Sequence, residues 1–141
     1  MAKILLISVG KIKHSWMREG ITDYAARLKH YADFKMLQIK DSNPKKEGAE
    51  MLVRAEGMLV ALTPVGRTLS SEQFADFLKK QNRPMTFFIG NEEGLSPDVL
   101  AKADFQLSLS PMTLPHDLCK LVFLEQLYRA FTILKGEKYH R

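Results

Sequence analysis

Residues 87–97, FFIGNEEGLSP, place two adjacent carboxylates, Glu92 and Glu93, between two glycines at the end of an apolar run. Paired carboxylates suggest general acid/base chemistry. Neighbours in a turn rarely aim at one target, however, so a cooperating pair is disfavoured here. One carboxylate is expected to cap backbone N–H groups of the helix that follows, where the helix dipole favours negative charge. The other is expected to face solvent. The glycines carry more information. Gly90 closes a buried strand where a ligand can lie against bare backbone, and Gly94 is placed to supply a positive φ before the helix.

A second stretch has the same logic. LSLSPMTLPH (107–116) ends a strand in small polar residues, and Pro111 and Pro115 then stiffen a loop that feeds a helix. Backbone groups in such a loop can hydrogen-bond a planar heterocycle. Two consecutive strand-to-helix loops of this kind predict a pocket between them, at the carboxyl ends of the strands. The terminal EKYHR has two readings: a frayed end, or an aromatic, an imidazole and a guanidinium aimed at RNA. Cys119 sits among Leu118, Leu121 and Val122 and reads as a buried helix thiol rather than a nucleophile. The four histidines are scattered, and no zinc-type Cys/His spacing, P-loop, G-x-G-x-x-G or H-E-x-x-H occurs, so no metal site is expected.

These residues need elements to hold them. Strand-like runs at 3–9, 34–39, 58–63, 85–90 and 105–110 alternate with helical patterns. Met17, Ile21, Tyr24, Leu28 and Tyr31 form one helical stripe. Asn43-Pro44 opens a short helix within 43–57, and Ser70 with Gln73 forms a capping box before a helix at 71–80. Ser96 reads as the N-cap of a helix with Pro97 at its first position. A long helix runs from about His116 to Leu134. The third strand is expected to stop at Pro64 and Gly66. The alternation predicts an α/β fold with a mostly parallel sheet and flanking helices.

The chain has 141 residues and 16.1 kDa, the size of a single domain spanning 1–141. One cysteine excludes an internal disulfide and fits a reducing, cytoplasmic setting. No apolar run reaches membrane-span length, so no membrane association is expected. The net charge of +5 fits either a lysine surplus or a polyanionic partner such as nucleic acid. The last helix is apolar almost all the way round, which predicts burial on more than one face and a homodimer formed through it.

FFIGNEEGLSP, SPMTLPH, LEQLYRAFTI and the closing YHR together resemble the motif set of the ribosomal RNA large subunit methyltransferase H family, of the SPOUT class. The order and spacing match through residues 85–141, and residues 1–63 also fit, beginning with the VG-K stretch at 9–11. The resemblance implies a C-terminal deep trefoil knot, which departs from the rule that chains do not thread. It also implies a homodimer, S-adenosylmethionine as cofactor, and methylation of N3 of a pseudouridine in large-subunit ribosomal RNA on assembled ribosomes. Carried over by residue, it implies cofactor contacts from Leu62, Gly90, Leu109, Ser110, Pro111, Met112, Thr113 and Leu114. Tyr139, His140 and Arg141 would reach the partner subunit's pocket and engage the target nucleotide, with His140 as candidate base and Arg141 stabilising negative charge.

The sequence departs from that pattern in places. Asn91-Glu92 stands where Gly-Pro is usual, Asp117 replaces a common proline, Lys120 replaces a frequent arginine, and the chain is shorter between about 41 and 58. Candidate phosphate contacts are Lys11, Lys13, His116, Lys120, Arg129 and Lys135, set against solvated lysines on helix faces. Two other function classes remain: an inactive RNA-binding module on the same fold, and a nucleotide-binding sensor or metabolic enzyme.

Overall fold

The structure is a computed structural model and describes all 141 residues. Its elements alternate along the chain as β1 (Ala2–Val9), α1 (Ser15–Leu28), β2 (Ala32–Ile39), α2 (Pro44–Arg54), β3 (Met58–Thr68), α3 (Ser71–Lys79), β4 (Met85–Phe88), α4 (Pro97–Lys102), β5 (Phe105–Ser108) and α5 (His116–Leu134). The five strands form one sheet in the order β2-β1-β4-β3-β5, and every pairing is parallel. This is the α/β sheet with flanking helices that the alternation predicts.

The period of two along each strand sends side chains to opposite faces. Ile4, Leu6, Val60, Met85 and Phe87 face α1, α3 and α5, and meet Ile21, Leu28, Phe74, Phe123, Leu124 and Leu127. Ile7, Val9 and Phe88 face the other way, onto Met51 of α2 and Val99 of α4. The central strands are apolar on both faces because both are covered. Each fully buried large side chain contributes about 1.5–3 kcal/mol relative to exposure.

The helix starts follow from capping chemistry. Asn43 Oδ1 accepts from the Lys46 N–H at 2.9 Å, ahead of Pro44. Ser70 and Gln73 form a reciprocal capping box, at 3.0 and 2.8 Å. Ser96 Oγ accepts from the Val99 N–H at 3.2 Å.

Some boundaries differ from the sequence expectation. β3 does not stop at Pro64 but continues to Thr68, with a register irregularity between Leu62 and Arg67, both of which align with Leu107. Pro64 is tolerated because the ladder is already broken there. α1 ends at Leu28, short of Tyr31, whose ring nevertheless stacks with Phe131 at 6.0 Å between centroids. β4 and β5 end at Phe88 and Ser108, each two residues early. In α5, Phe123, Leu124, Leu127 and Ala130 are fully enclosed. Leu118, Leu121, Val122 and Tyr128 on its other sides are half-buried.

Candidate active site

The carboxyl ends of β4, β3 and β5, three adjacent strands, open into one cavity of about 600 Å³. Its walls are residues 62–64 after the first part of β3, 89–95 after β4, and 109–116 after β5 except Pro111, closed by Leu100 of α4 and Cys119 of α5. Of the residues named in advance, Leu62, Gly90, Leu109, Ser110, Met112, Thr113 and Leu114 line it. Pro111 does not; it is exposed and turns the loop. Asn91 and His116, in the two loops expected to form the pocket, also line it, as do Thr63 and Cys119, which were not anticipated.

Gly90 lines the cavity, and its backbone packing gives a further reason for a glycine there. A Cβ there would lie 2.6 Å from the carbonyl carbon of Gly94 and 2.9 Å from the Leu95 nitrogen. The missing side chain makes room for the protein's own loop, which folds back on the strand end. Gly94 has φ +83°, the left-handed conformation expected of it.

The glutamates are not helix caps. Glu92 Oε1 stands 3.9 Å from Lys13 Nζ, and the Glu92 side chain is 78% exposed. Glu93 donates its backbone N–H to Asn91 Oδ1 at 2.9 Å, and Ser96 alone caps α4. Asn91 organises this turn. Its Nδ2 donates to Asp41 Oδ1 at 3.0 Å and to Glu47 Oε2 at 2.9 Å. Glu47 is 3% exposed, and burial pushes its carboxyl above the ordinary range against the Ser42 N–H bond.

Beside the lining residue His116, Asp117 accepts the Lys13 N–H at 3.1 Å and lies 3.2 Å from His116 Nε2. This ties the β1–α1 loop to α5. In that loop His14 stacks on Trp16, with ring centroids 6.0 Å apart. Lys120 is buried, and desolvation pushes its ammonium down while Asp117 opposes the shift. It is therefore withdrawn from the set of phosphate contacts. Burial also pushes the Cys119 thiol up to about 11.

The C-terminal residues lie elsewhere. Tyr139 Oη donates to Glu125 Oε2 at 2.8 Å and lies 3.2 Å from Tyr24 Oη. Its ring packs edge-on to Tyr128 and beneath the Arg129 guanidinium. Burial and then those hydrogen bonds push its phenol above the ordinary range, so it stays protonated. His140 Nδ1 is 3.0 Å from Arg129 Nη1, and Nε2 is 3.6 Å from Glu72 Oε2. Arg129, paired with Glu125 at 3.0 Å and occupied by the tail, is likewise not a free phosphate contact. Arg141 is exposed. Glu125 and Arg129 lie about 9 to 15 Å along α5 beyond Cys119. None of residues 139–141 lines the cavity of its own chain.

The cavity's chemistry suits a flat heterocycle that takes backbone hydrogen bonds. Leu62, Ile89, Leu95, Leu109 and Leu114 give an apolar slot. The backbone N–H groups of Ser110, Thr113 and Leu114 make no hydrogen bond within the protein and are left as donors. No group of three or more His, Cys, Asp or Glu side chains is placed to hold a metal ion, and no helix is long and apolar enough to cross a membrane.

The chain is 40% identical over 158 residues to the ribosomal RNA large subunit methyltransferase H of Carboxydothermus hydrogenoformans, covering 99% of each. It is 41% identical over 143 residues to the protein of the same name from Coprothermobacter proteolyticus, again covering 99% of each. Among solved structures, a probable methylase family protein from Haemophilus influenzae shares the fold with a TM-score of 0.62 at 14% identity, covering 99% of this chain and 71% of that one. The SpoU methyltransferase AviRb from Streptomyces viridochromogenes, solved in complex with the cofactor AdoMet, does so with a TM-score of 0.56 at 15% identity, covering 96% and 59%. Residues 2–140 match the family described as "Predicted SPOUT methyltransferase", and the chain belongs to the SPOUT methyltransferase family.

Proposed function

We propose that this protein is an S-adenosylmethionine-dependent methyltransferase acting on N3 of a pseudouridine in large-subunit ribosomal RNA, on assembled ribosomes in the cytoplasm. The observation that carries the reading is the convergence of two motif-bearing loops, 89–95 and 109–116, as walls of one cavity. The relatives' shared name supplies the RNA class. We further propose that residues 1–141 are one domain carrying the family's trefoil knot, and that two copies pair through α5.

When bound, S-adenosylmethionine supplies an electrophilic methyl group on a sulfonium. The apolar side chains Leu62, Leu109 and Leu114 would hold its heterocycle, and the free amides of Ser110, Thr113 and Leu114 would orient it. The target N3–H is a weakly acidic imide. Its proton must leave as the N–CH3 bond forms and the methyl–sulfur bond breaks to release the thioether, and positioning would supply much of the acceleration. Because the tail lies away from its own cavity, it serves the cavity of the partner in this reading. Arg141 is free to stabilise charge on a uracil carbonyl. His140 can take the proton only after releasing Arg129, since its Nδ1 accepts from that guanidinium; otherwise solvent takes it.

The test is to map methylated pseudouridine in ribosomes from a strain lacking the gene, with and without its restoration. Loss of one N3-methyl mark and its return is expected; an unchanged methylation map overturns the reading. Calorimetric titration with S-adenosylmethionine separates it from an inactive RNA-binding module, which would give no binding at high micromolar cofactor.

A further inference from the structure

Glu47 presents a physical problem. It is 3% exposed on a helix, and its Oε1 is buried with no hydrogen-bond partner. A carboxylate in that state costs stability, and a packed apolar side chain would cost less. Its other oxygen, Oε2, is fully used: it accepts the Ser42 N–H at 2.8 Å and Asn91 Nδ2 at 2.9 Å. Asn91 in turn uses both amide hydrogens and one acceptor site of its side chain. Its amide nitrogen faces two carboxylates, which only accept, so the orientation of the amide is determined by its partners. Its Oδ1 holds the Glu93 N–H at 2.9 Å, and its backbone carbonyl holds the Gly94 N–H at 2.9 Å. The turn 91–94 that walls the cavity is thus tied across the sheet end to α2 by one side chain.

We propose that Glu47 and Asn91 form a latch that positions the 90–94 loop of the cavity, with Glu47 as a positioning residue acting through Asn91. The proposal rests on the reading that the cavity takes S-adenosylmethionine. It gives Asn91, the residue that departs from the usual Gly-Pro of this loop, a job. A Gly-Pro turn is stiff by its own backbone, whereas this turn is stiffened from outside, by hydrogen bonds to a buried acid. Asp41 and Glu93 are the other charged groups facing Glu47, and both are acidic. The latch therefore gathers two acidic side chains, Asp41 and Glu47, through the two amide hydrogens of Asn91.

The experiment uses the full chain without ligand and then with S-adenosylmethionine. In the ligand-free protein, Asn91→Ala is expected to speed amide exchange at Glu93 and Gly94 by about tenfold or more, with β1 and β4 unchanged. The same substitution should raise the KM for S-adenosylmethionine about tenfold while kcat falls by a smaller factor, about threefold. Glu47→Ala should reproduce both effects, and the double variant should add little to either. Glu47→Gln keeps an acceptor in place and should restore most of the affinity. Unchanged exchange at Glu93 and Gly94 in Asn91→Ala overturns the latch, as does full additivity of the two alanine variants. Failure of the unaltered protein to bind S-adenosylmethionine would instead remove the cavity reading, and the exchange comparison would still judge the latch.

Discussion

His140 Nδ1 accepts a hydrogen bond from Arg129 Nη1 at 3.0 Å. A guanidinium has no lone pair to offer, so the imidazole must present its own. The ring proton then sits on Nε2, directed toward Glu72. Nitrogen–proton correlation spectra of the ligand-free protein should show the neutral Nε2–H tautomer, and a protonated Nδ1 would contradict the geometry. His140→Ala should lower turnover while leaving S-adenosylmethionine affinity within about twofold, because the ring lies outside the cavity of its own chain.

Tyr139 anchors the tail on α5 and α1. Tyr139→Phe removes the hydroxyl between Tyr24 and Glu125 but leaves the ring under Arg129. The expected loss is about 0.5–1.5 kcal/mol in denaturant unfolding. Turnover should fall more than cofactor affinity. Equal losses in both would place the tail's role elsewhere.

Gly90→Ala puts a methyl group against the backbone of Gly94 and Leu95. Backbone cannot rotate out of the way as a side chain can, so the loop must move. A loss of about tenfold or more in S-adenosylmethionine affinity is expected, measured by calorimetry. Wild-type affinity would show that the loop relaxes without disturbing the cavity.

Cys119 lines the cavity with a thiol pushed up to about 11. At pH 8 its thiolate fraction is roughly two orders of magnitude below that of an ordinary exposed thiol. Iodoacetamide labelling should be slow at pH 8 and accelerate as the pH rises toward 11. Rapid labelling at pH 8 would contradict the burial that raises the thiol.

RNA affinity should separate exposed from buried lysines. Lys11→Ala and Lys13→Ala should each reduce the log–log salt slope by about 0.7–0.9. Lys120→Met should leave that slope unchanged, because its ammonium is buried beside Asp117. A reduced slope in Lys120→Met would mean that the helix end opens on binding RNA.

The element order, the parallel sheet, three helix starts and most of the cavity wall were legible in the sequence because they rest on local rules. Alternation, the Ser70/Gln73 box and Ser96-Pro97 need only neighbours in the chain. The continuation of β3 past Pro64 was not legible, since it depends on where β5 lies alongside. The role of Asn91 was not legible either: its partners Asp41 and Glu47 are more than forty residues away in the chain. Lys120 and Arg129 read as free cations because a pattern records charge but not what covers it. The tail's docking on Glu125, Arg129 and Tyr24 likewise needs the three-dimensional neighbourhood.

Trp16 is the chain's one tryptophan and is 62% exposed, stacked on His14 beside the loop that joins Lys13 to Asp117. The molecule thus carries its single tryptophan, which can be excited at wavelengths where tyrosine does not absorb, at the corner where the β1–α1 lysines meet the cavity wall. Emission from that ring reports on one place only, so quenching by RNA, or a spectral shift on filling the cavity, can be assigned to that corner without labelling.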